Sequence, residues 1–206
     1  MKEQVINCVR GVFSPFLSNL FLHRFDLAMQ KRGYRLVRYA DDFCVFAKRR
    51  DKAERILTFT HQVFQHLRLS LHPEKTRITT FEEGFAFLGF LFKGNWKVPS
   101  EKAITAFRKK IKIITCRNTP QSKEELIRKI NEVVRGWGNY FKYGNPWRVF
   151  EKLDKYVRMR TRAFLGKRKA VYFANYRYPN YLFKRWGLIS LMDFYSGNAY
   201  SLLRGQ

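Results

Sequence analysis

Acidic residues are scarce in this chain: 16 Asp and Glu stand against 41 Lys and Arg over 206 residues, a formal charge of +25. A field of that size and sign excludes a basic partner and implies a polyanion, and a long nucleic acid fits it better than a small acidic metabolite. Cysteine is nearly absent. Cys8, Cys44 and Cys116 are far apart and odd in number, which excludes a disulfide framework and points to reduced thiols in a cytosolic setting. The four histidines, His23, His61, His66 and His72, share no ligand spacing with those cysteines, so a zinc site is rejected. No apolar run approaches the roughly 20 residues of a membrane span, and the N-terminus lacks a signal-peptide profile. Internal repeats and low-complexity linkers are missing as well.

What is present is material for a core: 46% of the residues are hydrophobic and 17% aromatic. The length suits one full domain, or a larger piece plus a small one. The charge is unevenly placed, with 17 Lys/Arg against 9 Asp/Glu in residues 1–100 and 24 against 7 in residues 101–206. A front half that holds most of the acids thus precedes a back half that holds most of the electropositive surface. Ser14-Pro15 opens a helix, Phe16, Leu17, Leu20, Phe21, Phe25 and Ala28 recur at helical spacing, and Gly33 ends the run. A second amphipathic helix runs from Asp51, with Ile56, Leu57, Val63, Phe64 and Leu67 on one face. Arg77 to Thr80 reads as a short strand, and Phe85 to Phe92 as a strand pair turning near Gly94-Asn95. Three helices follow. The first spans Glu101 to Thr115, the second is announced by the Ser122/Glu125 capping box, and the third starts at Asn145-Pro146.

The most informative stretch is Tyr39-Ala40-Asp41-Asp42, a tight polar break between Tyr34–Arg38 and Phe43–Ala47 that reads as a hairpin with both aspartates at its tip. Adjacent like charges repel unless cations neutralise them, and hard divalent cations prefer carboxylate oxygens. Aspartate is also common in turns because its side chain caps its own backbone, and the residues alone leave both readings open. In the back half, Arg158, Arg160, Arg162, Lys167, Arg168 and Lys169 are followed by Tyr172, Phe173, Tyr176, Tyr178 and Tyr181. Cations interleaved with rings suit an RNA surface, and a solvated helix face beside an aromatic mini-core is the alternative.

Five motifs in order carry a resemblance to group II intron reverse transcriptases/maturases. Gly11 to His23 resembles their helix-opening motif, and Tyr39-Ala40-Asp41-Asp42 the palm metal turn. His72-Pro73-Glu74-Lys75-Thr76 is similar to the next palm motif and Phe87-Leu88-Gly89-Phe90 to the primer-grip strand. Arg135-Gly136-Trp137-Gly138-Asn139-Tyr140-Phe141 resembles the signature of the maturase (X) domain that serves as thumb. The resemblance implies an α+β fold in two parts. Residues 1–97 form the C-terminal part of a reverse-transcriptase palm, an antiparallel hairpin sheet with helices. Residues 98–206 form an α-helical thumb/maturase domain with a basic tail.

Carried over position by position, Asp41 and Asp42 are metal ligands for Mg²⁺ and, with Lys75, the catalytic set; Lys75 assists the pyrophosphate leaving group. Phe87, Leu88, Gly89 and Phe90 form the primer grip, and Arg135 joins the RNA-binding cations. The implied partners are group II intron RNA, an RNA/DNA hybrid and either a separate N-terminal reverse-transcriptase chain or a second copy meeting an exposed palm, in a bacterial cytoplasm or organellar matrix. Two departures stand out. Cys8-Val9-Arg10 occupy the place of the family's Pro-Gln-Gly. The finger and front-palm segment that supplies the first metal-binding aspartate is not in this sequence, so the chain alone is expected to be inactive as an RNA-directed DNA polymerase.

Overall fold

The computed structural model describes residues 14–73, 76–166 and 175–195. Contacts cluster the chain into two compact units, residues 1–80 and 81–206, each with its own core.

In the first unit, α1 (Ser14–Lys31) leads into a hairpin of β1 (Arg35–Tyr39) and β2 (Asp42–Phe46), and α2 (Arg50–His66) follows. Gly33, at φ 66°, ends α1 and donates to Gln30 O, which only a residue without a Cβ does cheaply. The hairpin is in antiparallel register from Arg35↔Phe46 to Tyr39↔Asp42. Leu36, Phe43 and Val45 therefore face the core, where Phe25, Phe43 and Phe64 pack with centroids 5.0–5.7 Å apart. The inward face of α1 is Leu22, Phe25 and Met29. Phe16, Leu17, Leu20 and Phe21, on the same periodic run in the sequence, are exposed instead, Phe16 by 66%. The helix is thus apolar on two sides, and helical spacing alone does not say which side the unit buries. The strand expected at Arg77–Thr80 is not formed; those residues are irregular.

In the second unit, a meander of β3 (Phe85–Phe87), β4 (Phe90–Lys93) and β5 (Trp96–Pro99) precedes α3 (Glu101–Ile114), α4 (Lys123–Phe141), α5 (Trp147–Leu165) and the short α6 (Asn180–Arg185). The expected turn at Gly94-Asn95 joins β4 to β5. The stretch Phe85–Phe92, expected as a strand pair turning near Gly94-Asn95, also holds a two-residue turn of its own at Leu88-Gly89, where both residues take left-handed φ (48° and 77°) as such a hairpin loop requires. Ser100 and Ser122 cap α3 and α4, accepting from Ala103 N and Glu125 N. Helices α3, α4 and α5 enclose a core around Phe107, Ile111, Ile130, Val134, Phe150 and Leu153. Phe90 belongs to that core, so the meander packs with the helices although its sequence continues the front half.

Candidate metal turn and nucleic-acid interface

In the first unit, the Tyr39–Asp42 turn is braced from α1. Arg38 Nε and Nη2 donate to both oxygens of Asp26 (2.8 and 2.6 Å), while Nη1 donates to Asn19 Oδ1 (2.9 Å) and Ala40 O (2.7 Å). The bond to Asp26 raises the Arg38 pKa above its ordinary value, against the opposing effect of burial. Ala40 is held at φ 53°, a region that costs an L-residue about 1–2 kcal/mol. Asp41 and Asp42 stand exposed at the tip. Burial, and then the charge of Asp42, raise the pKa of the half-buried Cys44 thiol, which keeps it protonated and unreactive.

Two adjacent carboxylates are the right donor type for Mg²⁺, but the nearest further acid on the hairpin's supporting helix, Asp26, is engaged by Arg38. Among the described residues, no group of three His, Cys, Asp or Glu converges as a metal site. The residues present are therefore an incomplete set. Lys75 lies outside the described residues; on either side of it, Thr76 N and Oγ1 both donate to His72 O.

In the second unit, the Phe87–Phe90 turn is clasped by the end of α4. Tyr140 Oη donates to Leu88 O (2.8 Å), its ring stacks on Phe90 (5.5 Å, 25°), and Phe141 meets Phe90 edge-on at 4.8 Å. Trp137 bridges Phe107, Phe141 and Phe150 with centroids 4.4–5.7 Å apart. A Cβ on Gly138 would lie 2.6 Å from the Phe194 ring. The Arg135–Phe141 signature thus works mainly as packing, with Arg135 on its exposed side.

The arginine run of α5 divides by position. Arg158 is partly exposed. Arg160 reaches across to the C-terminus of α3, donating to Thr115 Oγ1 (2.9 Å), Thr115 O (3.1 Å) and Lys112 O (3.3 Å), where carbonyls lack helical partners. Arg162 is only 8% exposed and donates to Tyr178 O (2.8 Å) and Asn180 Oδ1 (2.6 Å) with its guanidinium over Phe183. Burial, and then the nearby charge of Arg158, lower its pKa. The structure therefore exposes Arg135, leaves Arg158 partly exposed and ties Arg160 and Arg162 into the fold. Lys167, Arg168 and Lys169 lie outside the described residues.

Three rings that the sequence reading did not single out are exposed together with cations: Trp96, Tyr143 and Trp147. Their only signal was position, since each sits beside a Gly-Asn or Asn-Pro turn where a core ring has no reason to be.

Comparison with known families gives two matches. The reverse transcriptase (RNA-dependent DNA polymerase) model matches residues 11–92, and the group II intron, maturase-specific domain model matches residues 104–176. The first match crosses the boundary between the two compact units, so the meander follows the polymerase in sequence and the helices in packing. No match to a curated protein was found.

Proposed function

The chain belongs to the group II intron reverse transcriptase/maturase family, and from that premise we propose that it binds structured intron RNA through its second unit, in support of splicing, and does not polymerise DNA on its own. The observation that carries the binding reading is charge: residues 101–206 hold 24 Lys and Arg against 7 Asp and Glu. Cations such as the exposed Arg135 and the partly exposed Arg158 on a helical surface suit phosphates, which dominate affinity and make it salt-dependent.

The polymerase reading is weakened by the turn itself. Two-metal phosphoryl transfer needs carboxylates converging from separate strands. Asp41 and Asp42 come from one turn, and Asp26 is held by Arg38. Asp41 and Asp42 would take part in holding Mg²⁺ once a further carboxylate is supplied. Mg²⁺ would supply charge neutralisation for the transferred phosphoryl group.

A second reading, in which a separate N-terminal finger/palm chain completes an active RNA-directed DNA polymerase, draws support from the first unit's surface. Phe16, Leu17, Leu20 and Phe21 on α1, with Val37 and Tyr39 on the hairpin, form exposed apolar area beside a two-stranded sheet that has open edges. Such surface calls for a covering partner, either that chain or a second copy of this one.

Primer extension on a primed RNA template with Mg²⁺ and dNTPs separates the readings. The chain alone is expected to extend nothing. Extension that vanishes in Asp41→Ala would overturn the inactive reading, and extension restored only by an added N-terminal chain would establish the second.

A further inference from the structure

In the second unit, Asn145 latches the α4–α5 loop onto β5. Its N–H donates to Lys97 O (2.7 Å) and its Oδ1 accepts from Lys97 N (3.4 Å). Gly144 lies so close that a Cβ there would be 2.4 Å from Lys97 O. The loop is therefore fixed, with no side chain between it and the strand. Within two residues of this latch stand three large rings turned to solvent: Trp96 at 61% exposure, Tyr143 at 67% and Trp147 at 41%. Cations flank them. Lys142 Nζ is 5.2 Å from the Tyr143 ring, Arg148 Cζ is 5.5 Å from the Trp147 ring, and Lys93 pairs with Trp96 across the β-turn. No Asp or Glu occurs in residues 84–100 or 133–150, which contain the whole patch.

Exposed rings gain nothing for the fold, and a fixed loop that presents them among cations and no acids matches one ligand chemistry. We propose that Trp96, Tyr143 and Trp147 form a stacking platform for the unpaired bases of single-stranded RNA, with Lys142, Arg148 and Lys93 taking the adjoining phosphates. This rests on the RNA-binding reading above and adds to it a base-contacting subsite distinct from the phosphate contacts of Arg135 and Arg158. Every base has a π-face, so such a platform holds single strands with little regard to sequence. Paired bases present no free face, so a duplex would meet only the cations. Tyr140, also half exposed, is excluded from the platform because its hydroxyl and ring already hold Leu88 and Phe90.

The test uses the full chain, a labelled oligoadenylate and a blunt RNA duplex. Trp96→Ala, Tyr143→Ala and Trp147→Ala should each weaken oligoadenylate binding about tenfold, leave the salt slope unchanged and leave duplex binding unaltered. The unaltered chain should show tryptophan quenching on binding, and the Trp96→Phe/Trp147→Phe double variant should bind the oligomer but lose that quenching. That second measurement holds even if an alanine variant misfolds. Oligoadenylate binding that is indifferent to the three rings, or binding without quenching, would overturn the platform and leave the RNA-binding reading standing. Equal losses for duplex and oligomer would also overturn it, and no RNA binding by the unaltered chain would overturn both.

Discussion

Some arginines of this chain are bonded within the fold, and others are left partly or wholly exposed. Arg38 and Arg162 each place a guanidinium on several fixed acceptors, which a planar fork does better than an ammonium. Replacing Arg162 with Ala leaves Tyr178 O and Asn180 without their donor and should lower unfolding stability by about 2 kcal/mol, measured by denaturant titration. Arg158→Ala should leave that titration unchanged and weaken RNA binding. If the two variants behaved alike in both assays, the division of the run into structural and ligand-facing residues would be wrong. The same logic applies at the Tyr39–Asp42 turn, where Asp26→Asn should loosen the hairpin without touching Asp41. Asp154 is a further buried anchor; it accepts from Ser190 Oγ and from Leu191 N (2.8 Å) and Met192 N (3.2 Å), tying the last described turn to α5. A run such as Arg158-Met159-Arg160-Thr161-Arg162 is legible in sequence as positive charge. Which of its members face solvent depends on where α3 and the 178–180 segment lie, and local sequence does not encode that.

At the level of elements, the turns and close approaches set the strongest constraints. Leu88 sits at φ 48° in a turn that favours Asn or Gly, so Leu88→Asn should stabilise the second unit by about 1 kcal/mol in thermal or denaturant unfolding. Gly138→Ala should destabilise it, by about 1–3 kcal/mol, because the new Cβ meets the Phe194 ring. A neutral Gly138→Ala variant would contradict the packing role given to the Arg135–Phe141 signature. The first-turn carboxylates Asp51, Glu124 and Glu125, and Glu151 further along α5, all have lowered pKa values. The largest effects are the Arg49 bond for Asp51, the backbone bond for Glu124, and the Lys129 and Lys155 bonds for Glu125 and Glu151. A lowered folded-state value means stability that is present above the unfolded value, near 4, and is lost as pH falls through the folded one. Melting temperature should therefore decline below about pH 4 by this route, and titration of these four groups should not affect it nearer neutrality.

Helices were the most legible elements because caps and periodicity announce them locally; Ser122 and Gly33 stand where expected. The short strands were less so. Arg77–Thr80 alternates like a strand but is irregular, and Phe85–Phe92 hides a turn that only tolerance of left-handed φ at Leu88 reveals.

On the scale of the whole molecule, the family and the two-part plan were readable from ordered motifs, whereas the grouping of the meander with the helices was not. That grouping comes from Phe90 packing against Tyr140 and Phe141, some fifty residues away. It bears on how the chain should be divided in experiments. A cut at Lys97 would separate Phe90 from its partners, while a cut between Thr80 and Phe81 severs neither core. The apolar outer face of α1 predicts that the whole chain self-associates or needs a covering chain, and a monodisperse monomer in dilute solution would count against this. The claim that the second unit is the RNA grip is tested most directly by measuring affinity for structured RNA across a salt series, for the whole chain and for residues 1–80 and 81–206 separately. Residues 81–206 should retain most of the affinity and a steep salt dependence, and the Arg135→Ala/Arg158→Ala pair should reduce the magnitude of the slope by about 1–2. Binding by residues 1–80 as tight as that of the whole chain would contradict it.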